Sequence, residues 1–149
     1  MNPLLYTGNT SNGHAITGLG FQPDFVWIKS RNQANFSHML YDVVRTAVSG
    51  PFDIRSNATN AQSTDSSGLV SFDSDGFTLN NGGYVNTGTF VSWNWKAGGS
   101  PSSNTDGSIT SSVSANTTNG FSIVTFTGTG ANATVGHGLG SVPKMIIIK

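Results

Sequence analysis

YTGNTSNGHAITGLGFQPDFVWIK, residues Tyr6 to Lys29, returns later in the chain as FTGTGANATVGHGLGSVPKMIIIK, residues Phe126 to Lys149. The two align without a gap at an offset of 120 residues. Tyr6 falls on Phe126, Gly18-Leu19-Gly20 on Gly138-Leu139-Gly140, Pro23 on Pro143 and Lys29 on Lys149. Fixed glycines and a fixed proline between short apolar runs describe one strand-turn-strand unit used twice. The glycines suit a sharp bend, and the proline fixes the approach to the strand that follows. Neither glycine pair is followed directly by Lys-Ser or Lys-Thr, so neither is a phosphate loop. In the first copy, Val26 and Ile28 point one way, and Phe25, Trp27 and the stem of Lys29 the other. Apolar residues on both faces describe a strand inside a sheet. Met145, Ile146, Ile147 and Ile148 keep that character in the second copy. Left bare they would be an aggregation edge, so residues 144–149 are expected to pair in a sheet built partly from other segments or another subunit; the alternative, which exposed and unpaired residues would favour, is a stretch cut from a longer chain.

Composition agrees with an all-β chain. Ser, Thr, Asn and Gly make up nearly half of the 149 residues, and there is no Glu. Such residues form helices poorly and turns well, and Thr, Val, Ile and aromatics supply the strands. Nine Phe and three Trp argue against disorder over residues 1–98, and less strongly afterwards. Seven basic and seven acidic residues give a formal net charge of zero, so no patch for nucleic acid stands out. Without Cys there are no disulfides or thiolate metal sites. The opening MNPLLYTGN has neither a basic leader nor a long apolar run, and no membrane insertion is expected.

The order of strands and turns suggests a β-sandwich over residues 1–98, a Gly/Ser/Pro linker over 99–107 and a partial second β module over 108–149. Residues 38–45 read as a strand closed by an Asp42–Arg45 ion pair. Residues 50–68 read as a long polar loop, a candidate binding surface. Leu69–Phe72 and Phe77–Leu79 flank the turn Asp73-Ser74-Asp75-Gly76, and Tyr84-Val85-Asn86 follows a second turn. In Thr89–Ala97, alternation sets Val91, Trp93, Trp95 and Ala97 against Phe90, Ser92, Asn94 and Lys96. The aromatic face is expected inside, with Trp93 and Trp95 joining Phe25, Trp27, Phe72 and Phe77 as core.

Candidate chemistry is sparse. None of His14, His38 and His137 lies in a nucleophile pattern, and no pair of carboxylates is placed to straddle a glycosidic bond. The chain is read as non-enzymatic and without a cofactor. Asp73 and Asp75, with Asp65 upstream, could hold a cation, but Asx-turn hydrogen bonds are the stronger reading of that spacing. Phe36, Tyr41 and Tyr84 are the aromatics not assigned to the core. Together with the three acids they form the candidate ligand surface.

GLGFQPDFVWIKSR (18–31), LYDVVR (40–45), TDSSGLVSFDSDGFTL (64–79) and VNTGTFVSWNWKAGG (85–99) resemble, in that order, a module of tail-fibre and other virion structural proteins. These belong to tailed phages, notably of marine bacteria and cyanobacteria. Residues 107–149 are similar to the opening of the sister module. The resemblance implies a concanavalin-like or jelly-roll-like antiparallel β-sandwich in a tail fibre or capsid-surface protein located in the virion. The implied partners are further copies of the chain, a trimer being favoured, other virion proteins and a host-surface glycan. It supplies no catalytic or metal-binding residues. A lectin-like glycan-binding module and a subunit of a non-viral bacterial surface filament are the alternatives.

Overall fold

A computed structural model, which describes residues 1–49 and 52–149, shows antiparallel sheets joined by short connections. The strands are β1 (Asn2–Thr7), β2 (His14–Thr17), β3 (Phe25–Ser30), β4 (Met39–Asp42), β5 (Phe52–Arg55), β6 (Ser63–Thr64), β7 (Leu69–Asp73), β8 (Gly76–Leu79), β9 (Thr89–Trp95), β10 (Ser102–Asn104), β11 (Ser111–Asn116) and β12 (Phe121–Thr125). Helices α1 (Val43–Ser49) and α2 (Gly83–Asn86) interrupt them. One sheet has the order β1-β9-β3-β4-β5-β6, a second β2-β8-β7 and a third β10-β11-β12. The first two face each other across the core, making the all-β sandwich that composition indicated.

That core contains Ile16, Leu19, Val26, Ile28, Met39, Tyr41, Leu69, Phe77, Leu79, Val85 and Phe90. Its composition corrects the expected orientation of β9. Phe90, Ser92 and Asn94 are the buried positions of that strand, and Val91, Trp93 and Trp95 the half-buried ones. Register explains the inversion. Asn94 pairs with Val26 and Ser92 with Ile28, so the polar residues share the inner face with the core strand. Asn94 Nδ2 is satisfied there by Asn2 O at 2.9 Å and Ser92 Oγ at 3.0 Å.

Trp93 instead pairs with Trp27 and Trp95 with Phe25 on the outer face. There Trp27 and Trp93 meet edge to face at 6.1 Å. Trp95 stacks on Phe121 of β12 at 5.7 Å, and Phe25 lies 5.9 Å from the same ring. Of the six expected core aromatics, Phe77 is fully buried and Phe72 packs at the margin of the inner core. Phe25, Trp27, Trp93 and Trp95 make a second, outer aromatic layer. The sheet is apolar on both sides, so alternation alone could not tell inside from outside.

Residues 38–45 are also corrected: β4 stops at Asp42 and α1 begins at Val43. Asp42 is itself the helix cap. Its Oδ1 accepts from the backbone N–H of Val44 at 3.0 Å and of Arg45 at 2.9 Å. Its Oδ2 takes the expected Arg45 ion pair. Residues 52–55 and 63–64 extend the large sheet, so the presumed 50–68 loop is largely strand and turn, with Gly50 and Pro51 outside the described residues. Tyr84-Val85-Asn86, after the second turn, belongs to α2.

The 99–107 stretch, expected as a linker, contains β10, which pairs with β11. Its start is fastened by Ser114, whose Oγ accepts from Gly98 N at 3.0 Å and donates to Gly99 O at 2.7 Å. The repeat is visible in the backbone as well. Gly18 and Gly20 have φ of 100° and 76°, and Gly138 and Gly140 of 70° and 69°, a region open to glycine. Beyond that bend the copies differ. β3 is bonded on both sides, by β9 and β4, whereas residues 145–148 form no strand within the chain. Met145, Ile146, Ile147 and Ile148 are 78, 71, 61 and 78% exposed. The expected pairing is therefore not made within a single chain.

Candidate functional site

The six candidate ligand residues separate into three places. Tyr41 and Asp65 come together inside the sandwich. Tyr41 is fully buried and donates its hydroxyl to Asp65 Oδ2 at 3.1 Å. Asp65 Oδ1 accepts in turn from the hydroxyl and backbone N–H of Ser67, at 2.7 and 3.1 Å. A ring sealed in the core cannot stack on a sugar, so Tyr41 is a packing residue and its candidacy as a ligand contact is corrected. In the sequence it stood unassigned, with packing the stronger reading, because alternation did not orient the strand carrying it.

Burial, followed by the negative charge of Asp65 and Asp53, holds the Tyr41 phenol well above its ordinary range. Burial alone does the same for Tyr6, whose hydroxyl donates to Val85 O at 2.7 Å. Both keep their protons in the fold at pH values where the unfolded chain, with phenols near 10, releases them. The folded state then binds more protons, so stability is fully present below pH ~10 and is lost above it, by at most about 1.4 kcal/mol per pH unit for each tyrosine. Denaturant titrations at rising alkaline pH should show this fall, and it should shrink in Tyr41→Phe. A flat profile would contradict it.

Asp73 and Asp75 serve different neighbours. Asp73 accepts from Ser71 Oγ at 2.9 Å and Thr78 Oγ1 at 2.7 Å, locking the β7–β8 hairpin. Asp75 reaches the repeated glycine bend. Its carboxylate accepts from Gly18 N at 3.1 Å and Gly20 N at 2.6 Å, and its backbone carbonyl from Leu19 N at 3.1 Å. This carboxylate in a cup of N–H groups pins Leu19 into the core. Sequence reading assigned the bend correctly but had no signal for what fills it. Among the described residues, no group of three His, Cys, Asp or Glu could share a metal ion.

Phe36 and Tyr84 do meet at the surface, with ring centroids 5.2 Å apart. The Arg55 guanidinium lies 5.0 Å from the Tyr84 centroid, and its Nε bonds Asp53 at 3.2 Å. Tyr84 is 43% exposed. This patch borders the exposed polar turn between β5 and β6, with Tyr84 exposed and Phe36 half-buried against the core; Asp75 is the other exposed candidate.

The outer aromatic layer supplies a residue that sequence reading overlooked. Trp27 Nε1 donates to His38 Nδ1 at 2.9 Å, which requires that nitrogen to be unprotonated. Desolvation first, then the charge of Lys29, lowers the His38 pKa from 6.5. The folded state resists protonation, so this contribution to stability is present above pH 6.5 and is lost as pH falls through the lowered value. Tryptophan fluorescence should change with a midpoint below 6.5, and His38→Asn should remove the transition. A midpoint at or above 6.5 would contradict the pairing.

The architecture and its charged groups thus describe a rigid scaffold with internally engaged acids. A single match to the family model described as Domain of unknown function (DUF7483) spans residues 1–149. The chain belongs to this family. No curated protein matches the chain, and neither does any solved structure. Within the described residues of this DUF7483 chain, no helix is long and apolar enough to cross a membrane.

Proposed function

We propose that this chain is a structural component of a phage particle, a tail-fibre or capsid-surface module whose work is assembly. The observation that carries the reading is the exposed run Met145–Ile148, four large apolar side chains in a row on a protein with a well-filled core. Exposed apolar surface of that kind belongs to a contact that covers it, by further strands or by another chain. The ordered blocks shared with virion proteins point the same way. The engaged carboxylates and the absence of Glu weigh against a glycan-degrading enzyme. Mass spectrometry of purified particles should find the chain at stoichiometric abundance, and its absence from particles but presence on cells would favour a bacterial filament subunit.

The Phe36–Tyr84–Arg55 patch favours a second role, contact with a host-surface glycan. An exposed aromatic beside a guanidinium offers stacking and hydrogen bonding to a sugar. Glycan-array binding should fall at least tenfold in Tyr84→Ala. Equal binding by the variant, or none by either protein, would remove this role.

A further inference from the structure

We infer that Asn119 is a self-modifying site, whose side-chain amide is hydrolysed to aspartate and isoaspartate with water as the only co-reactant. Three Asn-Gly pairs stand in the chain, Asn12-Gly13, Asn81-Gly82 and Asn119-Gly120. Asparagine is a thermolabile side chain, and glycine, lacking a Cβ, lets the reacting groups approach closely. The glycine nitrogen attacks the asparagine Cγ and closes a cyclic imide. The side-chain nitrogen leaves as ammonia, carrying the proton that the backbone N–H gave up. Water then opens the ring. Cleavage of the new N–Cγ bond gives aspartate, and cleavage of the original backbone N–C bond reroutes the chain through Cγ as isoaspartate. One water is consumed and one ammonia released, with no change of oxidation state.

The fold separates the three pairs. Asn12 and Asn81 lie in loops that lock each other. Asn12 Oδ1 accepts from Asn81 N at 3.0 Å, and Gly13 N donates to Asn80 Oδ1 at 3.2 Å, so both reacting groups of the first pair are occupied. In the second pair the nucleophile is occupied: Gly82 is buried, and its N–H donates to Ser67 O at 2.7 Å. Attack at either pair requires neighbouring loops to part first. The third pair sits at the tip of the β11–β12 hairpin, where residues 117–120 are all exposed. Its turn is closed from within, by Asn116 Oδ1 accepting from Asn119 N at 2.9 Å. A Cβ at Gly120 would meet nothing within 4 Å. Asn119 Nδ2 reaches Lys96 O at 3.4 Å, longer than a well-formed N–H···O bond. Such a tip opens locally at low cost while the sheets stay closed.

Conversion falls at the junction between the two modules. It replaces the amide that donates to Lys96 O, at the exit of β9, by a carboxylate that only accepts and stands against that carbonyl. Two residues on, Phe121 stacks on Trp95 at 5.7 Å, and isoaspartate lengthens the turn that leads to this contact. The formal net charge moves from zero to negative. Because each event is one-way, the altered fraction grows with the age of the protein, and the hold of module two on the outer aromatic row weakens with it.

Peptide mapping by mass spectrometry of the full chain, stored folded and in urea at mildly alkaline pH, tests the site. In the folded protein Asn119 should convert at least about tenfold faster than Asn12 or Asn81, because each of those must first break a held hydrogen bond. In urea the three rates should converge. Tryptophan emission of the aged folded protein should shift to the red in step with conversion, and Asn119→Gln should age without the shift. Equal rates at the three pairs in the folded chain would overturn the assignment, as would an intact Asn119 there. Rates just as unequal in urea would trace the difference to local sequence and overturn the part given to the fold. Conversion with unchanged emission would overturn the link to the junction.

Discussion

Replacing Asn86 by Ala should cost about 3–5 kcal/mol of stability in urea denaturation, a large share of the total for a domain of this size. Asn86 is fully buried and its amide ties three separate turns together. Its Oδ1 accepts from Asn9 N at 3.0 Å and lies 2.8 Å from His14 Nδ1. Its Nδ2 donates to Asn80 O at 2.9 Å and to Ser11 O at 3.0 Å. The turn leaving β1, the start of β2 and the turn leaving β8 therefore converge on one side chain, which fastens the two sheets at one end. Alanine would leave these groups without their partner. Each orphaned group costs ~1–3 kcal/mol, reduced where water enters from the neighbouring loops. Asn81→Ala, on an exposed side chain next to the same network, should stay within about 0.5 kcal/mol. Equal effects at the two positions would show that the loops, and not Asn86, hold the sheets together.

Asn86 also marks what the sequence could not disclose. Fifteen asparagines share this chain, and nothing in the stretch Tyr84-Val85-Asn86 separates this one from those in turns. Its role arises chiefly from contacts with Asn9, Ser11 and His14, more than seventy positions away. The all-β class was legible because composition and turn chemistry act locally. The repeat was legible because Gly18, Gly20, Gly138 and Gly140 need a backbone region that other residues avoid. The facing of β9 was not legible. Alternation identifies two faces but labels the inner one by hydrophobicity, and that label fails when Phe121 covers the outside and Asn94 Nδ2 finds Ser92 Oγ and Asn2 O within. The boundary at Asp42 was missed for a related reason. An aspartate that ends a strand and caps a helix looks, by local pattern, like one more polar residue in a strand. The candidate site suffered most, because Tyr41, Asp65, Asp73 and Asp75 were nominated by residue type. Each turned out to have a partner supplied by the fold, and of the aromatic candidates only Tyr84 stayed exposed, with Phe36 half-buried beside it.

Replacing Asp24 by Ala should separate the sandwich from the module that follows it. Asp24 is 2% exposed, and its Oδ2 accepts from the backbone N–H of Ala97 at 2.7 Å and of Gly99 at 3.2 Å. Its own backbone N–H donates to Trp95 O at 2.8 Å, and its carbonyl accepts from Val43 N at 3.0 Å. One residue therefore sets both the exit of β9 and the start of α1, the two segments that lead to the outer face. Charge-assisted bonds to backbone N–H groups are worth ~1.5–3 kcal/mol each, so loss of the carboxylate should cost about 2–4 kcal/mol after water takes up part of the loss. The loss should be local in its first effect. With Ala97 and Gly99 released, Ser114, Asn116 and Asn119 are left to hydrogen-bond the crossing, through Gly98, Gly99, Ala97 and Lys96. Module two would then lift from the aromatic row and uncover Trp95 where it stacks on Phe121. Fluorescence should shift to the red at denaturant concentrations below the main transition, and limited proteolysis should cut between residues 97 and 101. Asp24→Asn, which keeps an acceptor oxygen without the charge, should lie between the two proteins. If Asp24→Ala unfolds in one step with the wild-type emission maximum preserved until then, the junction is held by Phe121 packing and the carboxylate is incidental to it.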